Sequence, residues 1–373
     1  MNEKGELVQL EGLLGMQASI GAYGHRTWKR TTLQLDYSGD FRHYTENTYL
    51  DGSDHMFSLG LSRQVSRRVQ VFSRTGAGTT SRYYALGPSV SDVGTIPGFG
   101  VFDNRAFYLQ NVTGVQFNPT LRWSYVLTGT GYGVRRQSQS LVGMNGYGAT
   151  GMASYRLSRS RSINLFYGFM HYDYQRGFGD SDIHNSMAGL TQKFGRRWEG
   201  SLSGGVAQIH TVGLERVASD PILVALFGNA TFVRAFDRTV AVGAAEASLT
   251  GTYRRSLISF SYSQMPNAGN GIYLTSKNGV ASARYTYSGI RKSSVSLVGT
   301  YTTYKSIGQE QLGAFNQFGG GATLSYKLTR ALEASCIVDA RNLQIDNSGL
   351  NRNAYRISFG LNFHSSEMPI VFK

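Results

Sequence analysis

The sequence predicts an all-β protein, an antiparallel transmembrane β-barrel of 16–18 strands. Three observations carry the prediction. Residues alternate apolar and polar over many segments, most clearly Ala354–Phe363. Short basic turns recur along the chain. No run of about 18 apolar residues exists, so no helix in this sequence spans a bilayer.

The 354–363 stretch sets the pattern for the rest. Tyr355, Ile357, Phe359, Leu361 and Phe363 fall on one face. Arg356, Ser358, Gly360 and Asn362 fall on the other. A period of two is the signature of a strand. One face suits lipid and the other a water-filled lumen, and a tilted strand of this length crosses a bilayer. A spanning chain without apolar helices must close its sheet, because an open edge in lipid leaves backbone groups unpaired.

Composition agrees. The 373 residues include only 6 Pro, with 46 Gly, 23 Tyr and 20 Phe, and 16% are charged. Mean hydropathy is slightly negative despite the aromatics, as expected when only alternate residues face lipid. The one cysteine, Cys336, excludes an intrachain disulfide and alternates with Leu332, Ala334, Val338 and Ala340, as a small lipid-facing filler. The start, Met1–Leu7, lacks the basic and apolar regions of a secretory leader. Export requires a leader, so one is expected upstream.

In chain order, strands are expected at 10–22, 31–44, 54–65, 67–76, 105–117, 119–134, 141–157, 160–174, 183–194, 197–210, 239–253, 255–264, 279–289, 292–304, 316–328, 331–343 and 352–363. Eight short turns join them in pairs, near 25–30, 65–68, 118–122, 157–161, 195–198, 254–256, 289–293 and 328–331. Alternation is blurred in Ile163–Tyr174, where both faces carry aromatics. Seventeen strands is an odd count, whereas bacterial single-chain barrels have even numbers. Eighteen follows if one strand lies upstream, and sixteen if 10–22 stays out of the wall. The chain is otherwise one domain, 1–373.

Two connections on the other side are long. Residues 77–104 read as an irregular Gly-, Ser- and Tyr-rich loop. Residues 211–238 contain Asp220-Pro221, a helix-start pattern, followed by six apolar residues and Gly228. Such a run should not sit bare in water. Ile222, Leu223, Leu226 and Phe227 are therefore candidates for a constriction in the lumen or at its mouth.

Net charge is +14, and 19 of the 37 Lys and Arg lie at or beside the short turns. Arg67, Arg68, Arg159, Arg161, Arg196, Arg197, Arg254 and Arg255 form the core of this set. They predict a basic periplasmic mouth that gathers anions, an effect that salt weakens. Basic turns that are merely well solvated are the bland alternative. On the polar strand faces, Arg42, Arg74, Arg284, Arg341 and Arg356 are offset by Asp36, Asp40, Glu333 and Asp339. These are candidates for tuning selectivity in the lumen.

Catalysis finds little support. Asp180, Asp182 and His184 form the best cluster, but their spacing is easily met by chance. His210 and Glu215 have no compelling partners in sequence. There is no nucleotide loop, zinc-type Cys/His spacing or nucleophile elbow, so no enzyme activity, cofactor or metal is expected. Basic residues gather at turns rather than on one sheet face, which argues against a nucleic-acid partner.

Over nearly its whole length the chain resembles bacterial outer-membrane β-barrels. More narrowly it resembles uncharacterised barrels associated with exopolysaccharide production. Phe178-Gly179-Asp180-Ser181-Asp182-Ile183-His184, Asp220–Gly228, Asn270–Ser276 and Ser366–Phe372 carry this resemblance. It implies a barrel in the outer membrane and polymer export, and assigns no site residues. The final Lys373 departs from the aromatic last residue expected of such barrels. The implied function is a passive pore for polysaccharide, with an anionic polymer as one candidate; a general small-solute porin and a closed structural or adhesion barrel are the alternatives. Expected partners are outer-membrane lipid, the barrel assembly machinery, polysaccharide and periplasmic export components.

Overall fold

The computed structural model describes residues 14–45, 51–80, 105–137, 142–175, 179–218, 231–267, 275–307, 314–346 and 350–363. All the regular structure in them is strand: β1 (Gly15–Thr27), β2 (Thr31–Tyr44), β3 (Gly52–Gln64), β4 (Val69–Thr80), β5 (Ala106–Phe117), β6 (Trp123–Arg136), β7 (Gly143–Arg156), β8 (Arg161–Gln175), β9 (Asp180–Phe194), β10 (Trp198–Ala218), β11 (Thr231–Thr252), β12 (Ser256–Asn267), β13 (Ser276–Tyr287), β14 (Ser293–Ser306), β15 (Phe315–Lys327), β16 (Leu332–Ile345) and β17 (Leu350–Phe363). Each pairs antiparallel with the next, from β1–β2 to β16–β17, in one continuous meander.

The expected strands are present with shifted ends. The first lies at Gly15–Thr27 rather than 10–22, and it pairs with β2 along its full length. The expected loop 211–238 is shorter than predicted. Residues 211–218 and 231–238 continue β10 and β11, paired from Thr211↔Arg238 to Ala218↔Thr231. Alternation weakens there, so the sequence hides a hairpin that backbone pairing makes plain. Residues 77–80, assigned to a loop, complete β4. Asp180–Asp182, placed before a strand, open β9.

All eight short turns lie at one end, as an antiparallel meander requires. Several share one device. Ser66 Oγ accepts the Val69 N–H at 3.1 Å, Thr120 Oγ1 that of Trp123 at 3.1 Å, and Thr329 Oγ1 that of Leu332 at 3.0 Å. A hydroxyl thereby replaces a backbone carbonyl in closing the turn. The β9–β10 turn instead uses Gly195 at φ +66°, a conformation that favours glycine.

The register sorts every strand into two faces. Ile163, Leu190 and Leu202 form one transverse row of the outward face. Leu127, Leu165, Leu202 and Phe359 there are 56–82% exposed, as side chains meant for lipid should be. Cys336 lies on this face, between Leu324 and Phe359. All three tryptophans, Trp28, Trp123 and Trp198, sit at the short-turn end. There Trp123 stacks on Tyr125, and the Arg197 guanidinium lies 5.4 Å from the Tyr253 ring centre. Such aromatic girdles mark the membrane interface.

Candidate functional site

The opposite, inward face is polar around much of the sheet. Its charged part runs over β16–β17 and β2–β4. Arg356 Nε donates to Asp339 Oδ2 at 2.7 Å, and Arg341 Nε lies 3.7 Å from Asp339 Oδ1. One carboxylate thus serves two guanidinium groups. On β2–β3 the balance reverses. Arg42 Nη2 bonds Asp54 Oδ2 at 2.8 Å, with Asp40 directly opposite Asp54. Gln17 and Ser19 of β1 donate to Asp40. Asp36 stands opposite Ser58, which accepts a 3.0 Å hydrogen bond from Arg74 Nε.

Every sequence-predicted lumen residue falls on this inward face. Arg284 lies between Ser259 and Val298, away from the other charges. Glu333 lies between Lys327 and Asn362 near the short turns. The structure therefore brings Asp339, Arg341 and Arg356 together, and separately Arg42 with Asp54, which faces Asp40; Asp36 stands further along β2. It does not join all eight in one ladder.

Sequence reasoning missed an apolar patch on the same face. Met144, Tyr172, Tyr174, Ile183, Ile209 and Ile307 are buried together, with Tyr132, Val134, Met170 and Val242 packed beside them. This explains the blurred alternation of β8. Ile163, Leu165, Tyr167 and Phe169 point outward, while Phe166, Met170, Tyr172 and Tyr174 point inward. The patch is tied to the next part of the wall by hydroxyls. Tyr174 Oη lies 2.8 Å from Thr275 Oγ1, and Thr275 Oγ1 donates to Ser181 Oγ at 3.0 Å. Ser181 also meets Thr211 at 2.8 Å, and Ile307 N–H donates to the Thr275 carbonyl at 2.9 Å. Thr275 precedes β13, so the loop ends of β13 and β14 lean over the inner face of β8–β10. Wall residues thus narrow the loop-side mouth here. Ile222, Leu223, Leu226 and Phe227, the predicted constriction, lie outside the described residues.

The basic residues at the turns share the opposite end of the sheet. Between β9, β10 and β11 they border a cleft of about 540 Å³ lined by Lys193, Arg196, Arg197, Glu199, Ser201 and Thr250. Lys193 Nζ is 3.6 Å from Glu199 Oε2, so one of three cations there is balanced. Hydroxyls supply further donors. Such a surface attracts anions without needing a metal.

Asp180, Asp182 and His184 lie on the outward face, away from the lumen. His184 Nδ1 meets Tyr167 Oη at 2.9 Å, one row closer to the lipid band than Asp182. Among the described residues no nucleophile stands with them, and no acyl-transfer constellation is assembled there.

No protein-family model matches the sequence, and no curated protein sequence matches it. Solved structures do. The ferric-catecholate import receptor Fiu from E. coli K12, in its open form, is 8% identical over 96% of this chain and 69% of that chain, with a TM-score of 0.51. The copper transporter OprC is 10% identical over 96% and 67%, at 0.53. The FrpB iron transporter from Neisseria meningitidis, in its apoprotein form, is 8% identical over 89% and 60%, also at 0.53. The fold is that of a bacterial outer-membrane β-barrel. The barrel's apolar outward face and aromatic girdle fit that membrane. At this identity the likeness is one of fold, and the chain spans 60% of FrpB's length.

Proposed function

We propose that the protein is a passive outer-membrane conduit for a hydroxyl-rich, anionic solute, with a polysaccharide leaving the cell as the leading substrate. The observation that carries this reading is the basic cleft at the short-turn end, where Lys193, Arg196 and Arg197 stand with a single carboxylate, Glu199. The cleft gathers anions at that entrance. Further in, Arg341 and Arg356 gather on Asp339, a second place where guanidinium groups meet the path. Resemblance to barrels associated with exopolysaccharide supplies the polymer. No nucleotide-binding motif is present, so the driving force comes from other components. In this reading the outward face meets lipid, the assembly machinery inserts the barrel, and periplasmic export proteins deliver the polymer to the basic mouth.

A second reading is uptake of a small solute. The likeness to import receptors and metal transporters favours it.

Planar-bilayer recording separates these readings. The refolded protein would be measured under a salt gradient, with oligogalacturonate added from the short-turn side. Anion selectivity with oligosaccharide block supports export. Open conductance without block supports small-solute passage. A folded barrel with no conductance would remove both readings in favour of a closed structural barrel.

A further inference from the structure

The outward face carries a block of polar residues where β8–β11 rise past the lipid band. One transverse row reads Tyr147, His171, Asp182, His210 and Thr239 across β7–β11. The next reads Asn145, Asp173, Asp180, Val212 and Asp237. These two rows hold two histidines and four carboxylates, and no lysine or arginine.

The ligating atoms are close. Those of His171, Asp180 and Asp182 all lie within 4.8 Å of one another. His171 Nδ1 is 2.7 Å from Asp182 Oδ1. His210, directly opposite Asp182, has its Nδ1 3.1 Å from Thr239 Oγ1 and 3.5 Å from Asp237 Oδ1. All are part-exposed, so an ion reaches them from water. Their height fits. His210 is twelve residues beyond Trp198 in β10. At about 3.3 Å per residue and a tilt of about 40°, that is about 30 Å, past an apolar band about 25 Å tall.

From this geometry we infer a divalent transition-metal site built from His171, Asp180 and Asp182, with His210 completing the set, on the outer rim of the barrel. Imidazole with carboxylate is a donor set for zinc and its neighbours rather than for calcium or magnesium. Zinc–ligand bonds of about 2.0–2.2 Å in a tetrahedron separate ligand atoms by about 3.3 Å. The His171–Asp182 contact is shorter than this, and a side-chain torsion opens it. The ion takes the place of the hydrogen bond between those two atoms, and because metal ligands bind deprotonated, affinity falls in acid. It would clamp three strands together where the hairpin leaves the membrane. The site lies outside the lumen and is independent of the transport reading.

The test is titration calorimetry of the full, tag-free, refolded chain with Zn²⁺ at neutral pH after chelator treatment, alongside the visible absorption of the Co²⁺ form. One saturable site is expected, with Co²⁺ bands of low coordination number. His171→Ala and Asp182→Asn should each weaken binding at least about tenfold, the loss already typical of changing a ligand's supporting partner. His184→Ala, one row lower, should leave it unchanged. Should either variant fail to show the heat-modifiable mobility of a folded barrel, His210→Ala and the wild-type Co²⁺ spectrum decide. The site is overturned if Zn²⁺ does not saturate one site, or if folded His171→Ala binds as wild type. It is equally overturned if Ca²⁺ competes at equal concentration, which would mark an acidic surface only.

Discussion

The Tyr174 hydroxyl lies 2.8 Å from Thr275 Oγ1, joining β8 to the residue just before β13. The two are 101 residues apart. Strands five places apart in a flat sheet would be far out of reach, because neighbours are spaced about 4.8 Å. The bond therefore records the inward curl of the wall.

Tyr174→Phe should test what this bridge contributes. The ring stays in the apolar patch, while Thr275 loses one buried partner and keeps Ser181. A loss of about 0.5–1.5 kcal/mol is expected, the net worth of one buried hydrogen bond. Urea unfolding followed by gel mobility would read it. A variant as stable as the parent would show that the hydroxyl network merely decorates the patch.

The pairing of Asp339 with Arg341 and Arg356 predicts opposite shifts from opposite deletions. Arg341→Gln with Arg356→Gln leaves a lone carboxylate, and reversal potential should move toward cations. Asp339→Asn leaves two guanidinium groups, and it should move toward anions. Both shifts should shrink with salt, since the screening length is only about 10 Å at 0.1 M. Selectivity that stays constant across the three proteins would remove this row from the conduction path.

Much of the fold was legible because its cause is local. Alternation in β17, the short basic turns and the absence of long apolar runs are read one strand at a time. The inward placement of Arg42, Arg356 and Asp339 follows from parity alone, since a residue two positions on returns to the same face. The pairs themselves were not legible. Arg42 with Asp54 and Arg356 with Asp339 depend on cross-strand register, which spacing in one strand does not set. The same holds for His171, which joins Asp182 only through the β8–β9 pairing. The long β10–β11 hairpin was missed for a different reason. There a hydroxyl, Thr211, is buried on the inward face while Val212 lies outward beside Asp180 and Asp237, so hydrophobic period no longer reports strand.

The β2–β3 loop end should respond to acid. Tyr44 N–H donates to Asp51 Oδ1 at 2.7 Å, and His43 Nδ1 lies 2.8 Å from Oδ2. The backbone hydrogen bond first, then the histidine, hold this carboxyl below its ordinary 3.8. A depressed folded value means the contact stabilises above the ordinary value. That contribution is lost as pH falls through the folded value. The carboxyl carbon shift of Asp51 should therefore titrate with a midpoint below 3.8. A midpoint at or above it would show that the clasp does not form in solution, and Asp51→Asn should then change nothing.

The two faces of β10 should tolerate charge very differently. Leu202 is 66% exposed on the outward face, beside Leu190 and Ala247. It is four residues from Trp198, near the middle of the lipid band. Leu202→Arg should destabilise the inserted barrel by about 2–4 kcal/mol, the cost measured for arginine near a bilayer midplane. Ser203 is its neighbour in sequence but lies inward, opposite Gly189 and Glu246. Ser203→Arg meets water and a carboxylate there, and should cost under about 1 kcal/mol, the range of an exposed ion pair. Reversible folding into lipid vesicles at graded denaturant measures both. Equal costs would mean that the register of β10 is shifted by one residue, which would exchange the lipid and lumen faces of the strand.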